Sequence, residues 1–338
     1  MYIKFMNDQN KNIYISSWLM LIISLVGLMI VIGGLTRLTD SGLSITRWDL
    51  ISGILPPFSL KDWEIAFSLY KEIPEYKLIN STMTLDEFKF IYYWEYGHRL
   101  LGRLIGIVYL LPLIFFTWKG FLNKKMLISF YSIFFLITFQ GFIGWYMVTS
   151  GLVERTDVSH FRLSLHLTVA FIIFILLFWN YLKLKNKERS EFTKKLPLNL
   201  PNIFFLLIII QIGIGAFVSG LDAGKIYQTW PLMDEKYFPD DSNFKDLFLL
   251  SSLSNPSIMQ FIHRNVAYLI LLIFLIITFI VFISNNYKYL RRIILLIFFS
   301  LILQIVLGIL TVLSGAQIIL ASMHQIGSII LVTTSLIL

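Results

Sequence analysis

The sequence predicts an all-α integral membrane protein, with eight transmembrane helices arranged as two pseudo-symmetric four-helix bundles. Three observations carry this expectation. Hydrophobic residues fill 57% of the 338 positions and charged residues only 14%, against about 25% charged in a typical soluble domain. The apolar residues are gathered into long runs rather than scattered. Motifs of the first half also recur, in order, in the second.

A hydrocarbon core of about 30 Å takes roughly 20 residues of helix. Eight runs approach or exceed that length, at 18–34, 97–118, 126–149, 163–182, 203–219, 262–283, 293–313 and 319–338. The first is too long for a signal peptide and lacks a small-residue cleavage site, so it reads as a retained span. Basic residues set the orientation. Lys4 and Lys11 precede the first span, and Lys119, Lys124 and Lys125 separate the second from the third. Lys183, Lys185, Lys187, Arg189, Lys194 and Lys195 separate the fourth from the fifth, and Lys288, Arg291 and Arg292 the sixth from the seventh. Basic loops stay in the cytoplasm, which places both termini there. A long first loop (35–96) and a second around Asp234 to Asp246 then face outward. The formal charge of +8 is explained by these retained loops, without a nucleic-acid partner.

The internal repeat organises the chain into residues 1–182, a cytoplasmic linker 183–202, and residues 203–338. Glu95-Tyr-Gly-His98-Arg99 opens the second span, and Gln260-Phe-Ile-His263-Arg264 opens the sixth, 263 − 98 = 165 residues later. Gln140 and Gly144 in the third span match Gln304 and Gly308 in the seventh, at 304 − 140 = 164. Ser150-Gly151 matches Ser314-Gly315, and His166 matches His324. Gly34-Leu35 leading to Trp48 matches Gly220-Leu221 leading to Trp230. Four corresponding spans in one order, starting on one side, imply a parallel repeat about an axis along the membrane normal.

Cysteine is absent, which excludes disulfides, thiolate metal sites and cysteine nucleophiles. Five histidines remain as nitrogen ligands: His98, His160, His166, His263 and His324. Each half places one at the outer end of its second helix and one at the outer end of its fourth. Imidazoles at membrane depth mark function, and two on facing helices of a bundle suit ligation of a haem iron. The competing reading is a hydrogen-bonding pair, which the repetition of the pair weighs against. His160 has no counterpart and is expected in the loop before the fourth span. Gly97, Gly102, Gly106, Gly141 and Gly144 would admit a planar ligand or simply let helices pack closely. Arg37, Arg99, Arg103 and Arg264 lie near the same boundary and are candidate partners for haem propionates, with interfacial anchoring as the alternative.

One residue breaks the repeat. Gln260 stands where the first half has Glu95, three residues before a histidine and therefore on its helix face. A carboxylate beside one site and a neutral amide beside the other suggest different tasks: proton-coupled chemistry in the first half, electron storage or transfer in the second. A solvated acid at a helix start, favoured there by the helix dipole, is the competing reading.

The run Gly33-Gly34-Leu35-Thr36-Arg37-Leu38-Thr39-Asp40-Ser41-Gly42-Leu43-Ser44-Ile45, with Trp48 and Pro56-Pro57 after it, resembles the first-loop signature of the heme A synthase family. Glu95-x-x-His98-Arg99 is similar to that family's signature at the second helix, and the likeness extends over essentially the whole chain. The resemblance implies oxidation of the C8 methyl of heme O to the formyl of heme A, the cofactor of aa3-type terminal oxidases. It implies substrate heme O on His98 and His166 with Glu95 as catalytic carboxylate, and a permanent heme b on His263 and His324. Methyl-to-aldehyde conversion removes four electrons, most simply through two hydroxylations and loss of water. Some members carry a cysteine pair in the first outer loop; this chain resembles the cysteine-free branch, so no thiol–disulfide step operates in it.

The implied partners are heme O, an electron donor or acceptor and membrane lipid, with a heme O synthase and further copies of this chain as candidates. Without an Arg- and Ser-rich transit segment, a bacterial inner membrane is favoured, with the haem sites toward the outer side. Two rival classes share some of these features. A di-haem electron-transfer cytochrome would carry the same histidines but leaves Glu95 against Gln260 unexplained. A transporter would carry a repeat, but no charged path here reaches the cytoplasmic side.

Overall fold

Eight helices are long and apolar enough to cross a membrane, the number expected. In this computed structural model residues 8–49, 52–153, 155–185 and 196–338 are described. Lys4, Lys187, Arg189, Lys194 and Lys195, used above for orientation, lie outside the described residues. The spanning helices are α1 (Asp8–Leu38), α4 (Leu85–Trp118), α5 (Lys124–Gly151), α6 (His160–Lys185), α7 (Leu200–Gly220), α8 (Pro256–Ile283), α9 (Arg291–Leu313) and α10 (Ile318–Ser335). Two short helices, α2 (Leu60–Tyr70) and α3 (Pro74–Leu78), lie in the connection between α1 and α4. No strand occurs among the described residues. The chain divides into two units, Met1–Ser159 with Val169–Arg189 and His160–Thr168 with Ser190–Leu338, so the opening stretch of α6 belongs to the second.

Local chemistry sets the helix limits. Thr84 caps α4 and forms a reciprocal capping box with Glu87, and Ser59 does the same for α2 with Asp62, satisfying amide donors that a helix start leaves orphaned. Asp62 is thereby held below the usual carboxylate range, chiefly by the Ser59 hydroxyl. Helix α4 therefore begins well before residue 97, and Glu95 and His98 lie inside it rather than opening it. Asn255 caps α8, with Pro256 in its first turn where no amide donor is needed.

In the first unit, Trp18 of α1 packs against Tyr109 and Phe116 of α4 and Phe130 of α5, with ring centroids 5.0, 5.5 and 5.5 Å away. Pro112 within α4 has no amide hydrogen to give to Val108 one turn earlier. The Trp18 indole supplies it instead, donating Nε1 to the Val108 carbonyl at 3.0 Å. Tyr109 donates to the Phe130 carbonyl at 2.9 Å, and Ser129 to Asn180 of α6 at 3.1 Å. The α1–α4 connection has its own core of Leu43, Trp63, Phe67, Tyr70, Ile73, Phe88, Ile91, Val148 and Val158.

In the second unit, α7 packs on α8 through Phe204 and Phe274, whose centroids are 5.6 Å apart. Ser164 donates to the Gly213 carbonyl at 2.8 Å, and Ser300 of α9 and Thr334 of α10 share a hydrogen bond of 3.0 Å. His160 is the first residue of α6, not part of the preceding loop as expected. It is buried, with Nε2 at 3.2 Å from the Ser254 hydroxyl and its backbone against Gly220.

Candidate haem sites

Helix α1 ends at Leu38, and the chain turns through Asp40 in the left-handed region (φ 48°) with Arg37 paired to the Asp40 carboxylate at 2.7 Å. Leu43 then packs so closely on Gly151 that a β-carbon there would come within 2.6 Å of its methyl. This seats the next two residues against α4. Ser44 donates its hydroxyl and Ile45 its amide to Glu95 Oε2, each at 2.7 Å. Arg99, one helical turn on, donates Nε to Oε1 at 3.0 Å and forms an ion pair with the same oxygen. Glu95 is 2% exposed, so it is not a solvated acid at a helix start. Its four donors make it a loop anchor as well as a buried charge.

Arg99 completes the clasp. Its two terminal nitrogens donate to the carbonyls of Ile45 (2.9 Å) and Arg47 (3.1 Å), and its guanidinium lies 4.8 Å from the centre of the Trp48 ring. Arg103 donates to the Asp49 carbonyl at 2.8 Å.

The second unit uses related contacts. Arg264 donates its terminal nitrogens to the carbonyls of Tyr227 and Leu232, both at 3.1 Å. Gln260, also 2% exposed, donates Nε2 to the Tyr227 carbonyl at 2.9 Å. Where Glu95 accepts from a backbone amide, Gln260 gives to a backbone carbonyl, so the exchange of acid for amide reverses the polarity of the loop contact. The Tyr227 hydroxyl binds Asp240 at 2.6 Å, which holds that carboxyl below its usual range; burial first, then this bond, pushes the phenol up to about 12.

In each unit a glycine of the first helix faces the histidine of the next spanning helix. A β-carbon at Gly33 would lie 3.2 Å from His98 Nε2, and one at Gly215 3.2 Å from His263 Cε1. At Gly308 of α9 it would lie 2.9 Å from His324 Cε1. These contacts are tighter than side chains normally tolerate, so glycine fixes where each ring sits. At Gly97, Gly106 and Gly141 it would meet nothing within 4 Å among the described contacts, and at Gly102 only Met29, at 3.4 Å.

His263 and His324 are brought together, with ring centroids 6.5 Å apart and planes at 74°. The Nδ1 of each is buried without a hydrogen-bond partner, and Gln304 lies 3.3 Å from His324 Nε2. Buried imidazole nitrogens left unpaired are costly, so this facing pair fits an axial ligand set. Among the described residues no three His, Asp or Glu side chains gather to hold a bare metal ion. A haem brings its own four equatorial nitrogens and needs only such a pair. His98 belongs to the first unit and His166 to the stretch grouped with the second.

Sequence reasoning had singled out the histidines, Glu95 and the arginines described above. It quoted Gly33, Ser44 and Ile45 within the first-loop run without giving them a contact, and it missed Gly215 and Tyr227. The Glu95–Arg99 pair was signalled by its four-residue spacing.

Half-buried histidines, three of them backed by glycine and set in units whose loops are clasped by arginine, define a polytopic membrane protein with sites suited to a haem-type group. The chain matches the COX15-CtaA family of cytochrome oxidase assembly proteins over residues 16–336. It is 49% identical over 339 aligned residues to the heme A synthase of Pelagibacter ubique, covering 98% of this chain and 97% of that one. It is 43% identical to the heme A synthases of Rickettsia felis and Rickettsia bellii, covering 94% of this chain and 95% of each. The chain belongs to the COX15-CtaA family.

Proposed function

We propose that this chain is a heme A synthase, an oxidoreductase that converts heme O to heme A for aa3-type terminal oxidases by successive oxidation of the C8 methyl. Full-length similarity to relatives of that name supports the reading. The structural observation that carries it is the asymmetry at Glu95 and Gln260, two equally buried residues that use opposite polarity toward their loops. In this reading residues 1–182 and 203–338 form the two four-helix halves. Substrate heme O is held by His98 and His166, and heme b by His263 and His324. A bound heme b supplies a one-electron redox centre. Arg37, Arg99, Arg103 and Arg264 are the cations that propionates would meet, Arg99, Arg103 and Arg264 while also holding loop carbonyls. The protein lies in a bacterial inner membrane, with the termini cytoplasmic and both sites toward the outer side.

Glu95 takes the proton released at the methyl. To do so the carboxylate must give up a donor, and Ser44 is the one with an alternative. Its hydroxyl lies 3.3 Å from the Ser41 carbonyl and 3.4 Å from that of Ile91. When Oε2 is protonated, Ser44 turns to either carbonyl, while Arg99 and the Ile45 amide keep the side chain in place. A general base needs this kind of positioning within hydrogen-bond reach.

A second reading, a di-haem electron carrier, is favoured by the same four donors if Glu95 is only an anchor. Haem extraction and chromatography after expression in a host that makes heme O but no heme A separates the two. Heme A that disappears with Glu95→Gln supports the synthase. Only heme B and heme O in haem-loaded protein, with oxygen and an electron partner supplied, supports the carrier.

A further inference from the structure

Glu75 is a buried carboxyl that the proposed reaction does not use. It lies in α3, inside the α1–α4 connection, and is 5% exposed. Helix α3 is set into the aromatic core of that connection, with Ile73 before Glu75 and Tyr76 after it both packed there. The Glu75 Oε2 is buried and has no hydrogen-bond partner. The Tyr70 hydroxyl, which accepts from Asn80 Nδ2 at 2.8 Å, belongs to the same core and favours the ionised form of the carboxyl. The charged groups that act on it are acidic: Asp157 from the segment before α6, Glu95 from α4, and Asp40 from the turn after α1. Arg99 of α4 is committed to Glu95.

We propose that Glu75 is a positioning residue for Glu95: a neutral carboxylic acid whose ionisation would set a charge against the Glu95 clasp and loosen the loop that forms it. Burial, reinforced by Asp157, Glu95 and Asp40, pushes Glu75 up to about 8, so it keeps its proton at neutral pH. Leu43 links the two sites. It belongs to the same core and immediately precedes Ser44 and Ile45, the two loop donors to Glu95. A charge appearing in this core acts on the carboxylate directly and on its donors through Leu43. The proposal rests on the reading of Glu95 as the reacting carboxylate.

The test measures heme O conversion against pH in the full-length protein, alongside infrared spectra of the protonated-carboxyl C=O stretch. A group with a pKa of about 8 goes from about nine-tenths to about one-tenth protonated between pH 7 and 9, so wild-type turnover should fall about tenfold. Glu75→Gln cannot ionise and should lose much less over that range. The wild-type spectrum should show a carboxyl band titrating near 8 that Glu75→Gln lacks. Tyr70→Phe removes a group that favours the ionised form, so it should move the midpoint upward. An unchanged pH profile in Glu75→Gln, a missing band, or an unmoved midpoint in Tyr70→Phe overturns the proposal. Absence of heme A at every pH in the wild type instead overturns the synthase reading, and this proposal with it.

Discussion

In the proposed reaction two demands meet at the Glu95 carboxylate, which anchors a loop and must also take a proton. Glu95→Gln should keep the fold, because a glutamine is accommodated beside Arg264 in the second unit. It removes a buried anion from Arg99, so a stability loss of about 1–3 kcal/mol is expected by thermal denaturation. Haem content should persist while heme A formation stops; full activity would remove Glu95 from the mechanism. Ser44→Ala takes away the one donor able to turn elsewhere and should slow turnover more than it lowers haem loading. The acid was legible from its spacing to His98 and from Gln260 standing in its place in the second half. Ser44 stood within the first-loop run, but its contact with Glu95 was not legible, because it reaches across 51 residues of chain. Gly308 gives a sharper test of the ligand assignment. Gly308→Ala places a methyl 2.9 Å from the His324 ring and should displace it, lowering heme B content while heme O or heme A is retained. Unchanged heme B in that variant would argue against His324 as a ligand.

At the scale of elements, hydropathy located all eight spanning helices but misplaced the start of α4. Residues 85–96 mix charged and aromatic side chains, so an apolar-run criterion passes over them even though the Thr84–Glu87 capping box marks the helix start. The Pro112 position shows how one element completes another. Trp18→Phe keeps the aromatic packing but leaves the Val108 carbonyl without its donor, and about 1 kcal/mol of stability should be lost. Pairing this change with Pro112→Ala, which restores an amide donor in α4, should recover part of it. The α1–α4 connection carries a pH signature of its own. Glu75 binds its proton more tightly when folded, near 8 against 4.5, so folding takes up a proton between those values. Its contribution to stability is complete below about 4.5 and is lost progressively as pH rises toward 8. Unfolding of Glu75→Gln should lack that slope, and a matching slope in both proteins would place the titration elsewhere.

For the molecule as a whole, the repeat was legible because its most constrained residues share one offset: Glu95 with Gln260, His98 with His263, Arg99 with Arg264. The arginines bond loop carbonyls in both units, and a glycine backs the histidine in both. What differs is chemical: a carboxylate fed by four donors in one unit, an amide feeding a carbonyl in the other. The proposed function assigns oxidation to the site beside Glu95 and electron transfer to the one beside Gln260, and that assignment makes a prediction that neither unit makes alone. Replacing His324 with alanine removes one of two facing rings 6.5 Å apart and should strip heme B from the purified protein. Heme O should still bind and accumulate unconverted, because its ligands and Glu95 are intact while the redox partner is gone. Replacing His98 should do the reverse, retaining heme B and losing heme O and heme A. Chromatography of the haems extracted from both variants reads all of these species at once. Parallel loss of every haem from both proteins, or heme A persisting without heme B, would sink the assignment of separate substrate and electron-transfer sites.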